Sequence, residues 1–104
     1  MRTKVLCILL ALLTVATTVW AAASIVQVRI VQGFSPQTVT ISAGDTVAWV
    51  NGENQDHSIV AQDGSFASNK LKNGQRFQHR FTKAGTYPYG CSLHPREKGK
   101  VVVK

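Results

Sequence analysis

Sulfur-containing side chains are scarce in this sequence, which has two cysteines and one methionine among 104 residues. Cys7 and Met1 both lie in the first 23 residues, so Cys91 is the single thiol in the remainder of the chain. A disulfide within that remainder is excluded, because a disulfide needs two cysteines. No methionine thioether is available there either.

The first residues have the pattern of a secretory signal peptide. Two positively charged residues precede an apolar run over residues 5–16, and three alanines close it at residues 21–23. The alternative is a retained membrane anchor, but the apolar stretch is shorter than the roughly 20 residues that a span requires. We therefore expect a signal peptide over residues 1–23 and an exported, periplasmic domain over residues 24–104, without a membrane anchor after cleavage.

Long runs of positive charge are also missing. Residues 24–104 contain ten lysines and arginines against five aspartates and glutamates, and the basic residues are scattered along the chain. Basic runs with interleaved aromatic residues, which are typical of nucleic-acid binding, do not occur. We therefore expect no nucleic-acid partner.

Helical periodicity is absent after the signal peptide, and short segments alternate between apolar and polar residues instead. In residues 26–30, for example, three apolar residues alternate with Gln27 and Arg29. Such alternation, rich in β-branched and aromatic residues, is typical of half-buried strands. Turn residues separate the segments, so we expect an all-β sandwich or small barrel. For residues 62–74 the sequence pattern does not distinguish a strand from a loop. The expected strands cover residues 26–30, 38–42, 46–49, 58–60, 77–81 and 100–104.

The small size of the domain is a reason to look for a bound metal. A domain of this length buries only about 60–65% of its unfolded surface, so its stability is marginal. Small exported domains often gain stability from disulfides or from a metal ion. With one cysteine in residues 24–104, a metal ion is the natural candidate.

The residues that suggest a metal site are Cys91, His94 and Glu97. Cys91 ends an expected strand, and the other two follow at intervals of three residues before the last strand. A loop closed between two strands brings its side chains together, and a thiolate with an imidazole suits a soft or borderline metal. His57 follows a polar loop at the start of a strand, whereas His79 lies mid-strand between two phenylalanines. We therefore assign His57 to the metal as a third ligand and His79 to the core.

Two histidines and one cysteine with a weak axial ligand are the arrangement of a blue-copper electron-transfer site. Over nearly all of residues 24–104 the chain resembles the small cupredoxins of the plastocyanin, pseudoazurin and amicyanin group, and the short spacing after Cys91 looks most like amicyanin. The resemblance implies a Greek-key β-sandwich of about eight strands that holds one copper ion, as Cu(I) or Cu(II), with His57, Cys91 and His94. The matching segments are Phe34–Pro36, Gly44–Asn51, His57, Phe81–Tyr87, Cys91–Pro95 and Gly99–Val103.

Two positions depart from the family pattern. Family members usually have methionine where this chain has Glu97. This glutamate is either a carboxylate axial ligand or a solvated residue that pairs with Arg96, Lys98 or Lys100. Family members also usually have asparagine where this chain has Ser58, whose shorter side chain predicts a weaker or absent link between the two ligand loops.

The resemblance implies a monomeric one-electron carrier between redox proteins and not an enzyme. The basic residues around the expected metal end could orient an acidic redox partner. A second hypothesis is a copper- or zinc-binding or copper-delivery protein without redox cycling, which a carboxylate ligand would suit. A small copper enzyme is a third, but the sequence offers no substrate pocket. Cys91 and His94 also lack the orienting third residue of a nucleophilic dyad.

Overall fold

The computed structural model describes residues 22–104, so the expected signal peptide lies almost entirely outside the described residues. Its boundary at residue 23 stays a prediction. The described part of the chain contains no helix, and hence none that is long and apolar enough to cross a membrane. Its strands are β1 (Ile25–Ile30), β2 (Phe34–Ser35), β3 (Thr38–Ile41), β4 (Thr46–Asn51), β5 (Val60–Ala61), β6 (Arg76–Arg80), β7 (Gly85–Gly90) and β8 (Lys98–Val103).

These eight strands form two four-stranded sheets, with the orders β2-β1-β4-β6 and β3-β8-β7-β5. β1 pairs with β4 and β3 pairs with β8 in parallel, and the other neighbours are antiparallel. Strands that are distant in sequence are thus neighbours in both sheets. The architecture confirms the expected all-β Greek-key sandwich of about eight strands.

The core between the sheets is built from the apolar positions of the alternating segments. Val28 and Trp49 from one sheet and Val101 from the other are fully buried. The Trp49 ring stacks on Phe66 at a centroid distance of 5.7 Å and meets the edge of Tyr89 at 5.2 Å. Aromatic packing of this kind joins the loop after β5 to both sheets.

The segment after His57 differs from the sequence expectation. The strand expected over residues 58–60 is reduced to β5, because the preceding backbone pairs with the long loop that follows. Ile59 N donates to Ser68 Oγ at 2.8 Å, and Ser68 N donates to Ile59 O at 2.7 Å. The segment 62–74, which has no clear sequence pattern, is therefore a loop held by isolated β-bridges, His57 with Leu71 and Val60 with Ala67.

Candidate metal centre

The loop between β7 and β8 carries Cys91, His94 and Glu97. Three backbone hydrogen bonds close this loop: His94 N to Cys91 O at 3.3 Å, Glu97 N to His94 O at 2.9 Å, and Cys91 N to Glu97 O at 3.3 Å. Successive tight turns with a three-residue step bring the three side chains to one side of the loop. Gly90 makes the closure possible, because a Cβ there would lie 3.0 Å from Glu97 O.

His57 reaches the same point from the loop between β4 and β5. Its backbone exchanges two hydrogen bonds with Leu71, at 3.0 Å and 2.6 Å. The fully buried Asn51 organises the loop in between. Its Nδ2 donates to Gln55 O at 2.7 Å and to Leu71 O at 2.9 Å, and its Oδ1 accepts from Glu53 N at 2.9 Å. The backbone of His57 is thus positioned by residues outside the β7–β8 loop.

The structure brings all four sequence-predicted ligands together in what we call the donor cluster: His57, Cys91, His94 and Glu97. One donor atom from each lies within 4.8 Å of the others. Cys91 Sγ is 3.5 Å from His94 Nδ1 and 3.9 Å from His57 Nδ1, and Glu97 Oε1 is 3.0 Å from His57 Nδ1. Donors that each sit about 2.0–2.3 Å from one ion are separated by such distances. The donor cluster therefore fits a single copper or zinc ion.

Electrostatics at the donor cluster favour the anionic sulfur. Burial raises the pKa of Cys91, but hydrogen bonds from the Ser58 backbone N–H and the two histidine rings contribute to lowering it to about 7. A large thiolate fraction is then present at neutral pH, and the thiolate is the form that binds metal.

The pKa of His57 is raised above its ordinary value. Burial lowers this pKa, but Cys91, Glu53 and Glu97 around the ring outweigh that effect. The metal-free site therefore holds a ring proton more firmly than water does, and metal binding at Nδ1 competes with that proton.

Ser58 links the two ligand loops, contrary to the expectation that its short side chain weakens or removes this link. Its Oγ lies 2.7 Å from Ser92 Oγ and accepts from Ser92 N at 3.1 Å. Its backbone N–H donates to Cys91 Sγ at 3.3 Å. Ser92 makes up for the missing length, because it follows Cys91 directly and extends a second hydroxyl towards Ser58.

The surroundings of Glu97 and His79 differ sharply. The Glu97 side chain is only 17% exposed, and its ion-pair partners among residues 22–104 are His57 and His94, with none of the neighbouring basic residues. His79 lies in β6, outside the donor cluster, where its ring packs at 4.8 Å from both Phe66 and Phe81. His79 is thus a half-buried side chain of the aromatic core.

Glu53 is the residue at this site for which the sequence gives no signal. Its Oε1 lies 2.7 Å from His57 Nε2, on the side of the ring away from the donor cluster. Its Oε2 accepts a hydrogen bond from Gln32 N at 2.8 Å. Glu53 stands four residues before His57 in an irregular loop, where spacing does not determine which side chains meet.

Comparisons with known proteins agree with this picture. A family model described as a cupredoxin-like domain matches residues 4–103. Amicyanin of Paracoccus versutus is 36% identical over 94 residues, which cover 86% of this chain and 70% of the relative. Plastocyanin of Scenedesmus fuscus is 33% identical over 84 residues, covering 68% of this chain and 86% of the relative. An oxidised methionine-to-leucine variant of amicyanin superposes with a TM-score of 0.72 at 33% identity, over 76% of this chain and 81% of that one.

Proposed function

Because this chain belongs to the cupredoxin family, in which amicyanin and plastocyanin are copper electron carriers and not enzymes, we propose that it is an exported, periplasmic one-electron carrier with a carboxylate ligand. The observation that carries the proposal is the donor cluster, with four donor atoms within 4.8 Å. Copper bound by His57, Cys91, His94 and Glu97 supplies a one-electron Cu(I)/Cu(II) couple. The chain's own residues supply the fixed frame around it.

The rigidity of this frame suits electron transfer. The β7–β8 loop is closed by its own backbone hydrogen bonds, and the backbone of His57 is paired with Leu71. The Ser58 N–H donates to the sulfur of Cys91, which stabilises the thiolate in either oxidation state of the site. Ligands held in one geometry need little rearrangement when an electron enters or leaves, and this keeps the barrier to transfer low.

Glu97 is proposed to help hold the copper ion in place of the methionine that family members usually have at this position. The support is its Oε1, which lies 3.0 Å from His57 Nδ1 and 3.6 Å from His94 Nδ1 while the side chain is mostly buried. An anionic oxygen is a harder ligand than a thioether, so it favours Cu(II) over Cu(I) and lowers the reduction potential. Each tenfold difference in affinity between the two oxidation states corresponds to about 59 mV.

The surface around His94 is the proposed point of electron exchange. The His94 side chain is 32% exposed, and it lies in a shallow depression with Leu93 and Pro95. The exposed Arg96 also lines this depression, and the exposed Lys98 follows two residues later in the chain. An apolar contact area with a basic rim suits a redox protein with an acidic docking surface, because complementary charges orient the two partners before contact. The carrier itself is proposed to act as a monomer.

A second candidate function follows from the same donor cluster. One sulfur, two imidazole nitrogens and one carboxylate oxygen also form a suitable tetrahedral set for Zn(II). The chain would then bind zinc, or store or deliver copper, without redox cycling. The two functions are separated by whether the bound metal undergoes reversible reduction.

The first test is the visible absorption spectrum of the purified protein after addition of Cu(II), for the native chain and for Glu97→Met. We expect an intense thiolate-to-copper band in both and a shift of its position on substitution, because the substitution changes a ligand of the copper ion. An intense band that the substitution leaves unchanged would keep the copper site but remove Glu97 from it. Absence of the band, or irreversible reduction with loss of metal, would favour the second candidate.

A further inference from the structure

Glu53 and the fully buried His57 ring form a contact that lies outside the donor cluster. The Nδ1 atom of His57 faces Cys91 Sγ at 3.9 Å, while Nε2 faces Glu53 Oε1 at 2.7 Å. The His57 side chain is completely buried, and that of Glu53 is 21% exposed. Water therefore has little access to Nε2, and the carboxylate is its hydrogen-bond partner.

The chemistry of an imidazole ring makes this contact consequential. A neutral ring has one N–H and one lone pair, and only the lone pair can bind a metal. Glu97 Oε1 also faces the ring, 3.0 Å from Nδ1, but Glu97 is itself a proposed ligand and would bind the metal instead of accepting a ring proton. With a metal bound, the carboxylate at Nε2 therefore keeps the N–H there and leaves the lone pair on Nδ1, which points into the donor cluster. A ring that donates to a carboxylate is also a more basic ligand.

The second oxygen of Glu53 fixes the position of the carboxylate itself. Glu53 Oε2 accepts from Gln32 N at 2.8 Å, in the turn between β1 and β2. Gln32 has a φ of 53°, in the left-handed region that residues other than glycine rarely adopt. Gly52 N also donates to Ile30 O at 3.0 Å, so the loop that carries Glu53 is attached to the end of β1. Glu53 is thereby held between a surface turn and a buried ligand ring.

We propose that Glu53 is a positioning residue of the copper site, which fixes the orientation and tautomer of His57 and couples them to the β1–β2 turn. The inference rests on the proposed function, because it takes His57 to be a copper ligand. It predicts that the charge and the two acceptor oxygens of Glu53 strengthen Cu(II) binding more than Cu(I) binding.

Glu53→Gln is the variant that tests this role. Glutamine has nearly the same shape, but it has one acceptor oxygen and no charge, so it cannot serve both the His57 ring and Gln32 N. We expect Cu(II) affinity to fall by about 10–100-fold, the range seen when such outer partners are removed. If Cu(II) loses tenfold more affinity than Cu(I), the reduction potential rises by about 59 mV. Competition titrations and voltammetry of the loaded protein measure both quantities.

Asp45→Asn is the matched control. The carboxylate of Asp45 also bridges two backbone N–H groups, from Ser24 at 2.9 Å and Ser42 at 3.0 Å, but it contacts no member of the donor cluster. We expect the copper affinity of this variant to stay within twofold of the native value. Its reduction potential should equal the native one within measurement error. A Glu53→Gln protein whose affinity and potential match those of Asp45→Asn would overturn the proposal.

A measurement on the native chain keeps the inference testable if Glu53→Gln fails to fold. In the Cu(I)-loaded or Zn(II)-loaded protein, nitrogen-15 NMR should find the His57 proton on Nε2, with solvent exchange far slower than for the His94 ring. A proton on Nδ1, or exchange as fast as that of His94, would refute the role of Glu53. Failure of the native chain to bind copper would instead refute the proposed function, while the Zn(II)-loaded protein would still report the tautomer.

Discussion

At the scale of single residues, the donor cluster is held mainly by atoms that do not bind metal. His57 is fixed through Nε2, Cys91 through the Ser58 N–H, and the ligand loops through Ser58 and Ser92. Each of these contacts leaves the donor atom itself directed at the shared centre. Side chains arranged in advance in this way lose little conformational freedom when a metal binds, which favours tight binding.

Tyr89 carries a buried polar group that lowers the stability of the folded state. The Tyr89 hydroxyl and the Trp49 ring N–H are both buried without a well-formed hydrogen bond among the described residues. Burial raises the pKa of Tyr89 to about 12, although the nearby Trp49 N–H acts to lower it. We expect Tyr89→Phe to raise the free energy of unfolding by about 1 kcal/mol, because it removes an unsatisfied buried hydroxyl. Chemical denaturation at neutral pH measures this, and a loss of more than about 1 kcal/mol would contradict it.

The same substitution has a pH signature. The raised pKa means that the folded state keeps the Tyr89 proton more firmly than the unfolded state, whose value is 10.0. The pH-dependent stabilisation that comes from this difference in proton binding is complete below pH 10 and is lost as pH rises towards about 12. The native protein should therefore lose more stability than Tyr89→Phe between these two pH values.

The sequence is sufficient to predict His57, Cys91, His94 and Glu97 as a group, and the structure places them together. Their proximity could be predicted because residue type, short spacing and strand ends constrain where they lie, while their role as metal ligands stays a prediction. Glu53 could not be predicted, and neither could the compensating role of Ser92. Both depend on which way side chains of irregular loops point, and no periodic pattern encodes that direction.

At the scale of elements, the strands follow the sequence closely where one face is buried. The alternation in residues 26–30 predicts β1 almost to its ends, because its alternate side chains enter the core. The segment 46–49 likewise lies in β4, but three successive residues there, Val47, Ala48 and Trp49, are fully buried, so β4 is covered on both faces. β5 is shorter than expected, since the hydrogen bonds of its first residues go to the loop around Ser68. Loop pairing of this kind depends on tertiary contacts that local sequence does not record.

Strand β6 provides a prediction through His79. Burial against Phe66 and Phe81 lowers the pKa of His79 below its ordinary value. The unfolded chain therefore binds a proton on His79 more readily than the folded protein does. The stabilisation that comes from keeping His79 neutral is present above pH 6.5 and is lost as pH falls below it. In the metal-free protein, His79→Phe should lose less thermal stability than the native chain between pH 7.5 and pH 5. Equal losses in the two proteins would contradict this prediction.

At the scale of the whole molecule, a metal ion held by the donor cluster would join the two loops that carry it. A ligand that binds the folded state alone stabilises it by about 2.7 kcal/mol at one hundred times its dissociation constant. In a domain of this size, each kcal/mol corresponds to about 4–8 °C in melting temperature. We expect removal of copper to lower the melting temperature by at least about 10 °C, as calorimetry of loaded and metal-free protein would show. Equal melting temperatures would mean that the donor cluster does not retain copper in solution.

The pairing of β3 with β8 has a consequence for the order of folding. Thr38 lies opposite Lys100 and Ile41 opposite Val103. Strand β3 therefore cannot form this pairing until β8 has been synthesised. Such distant contacts make folding slow, because a long stretch of chain has to be closed before any pairing energy is gained. The loop that carries Cys91 takes its shape between β7 and β8. The nascent chain therefore cannot complete the donor cluster until β8 has emerged, so metal binding there has to follow the synthesis of β8.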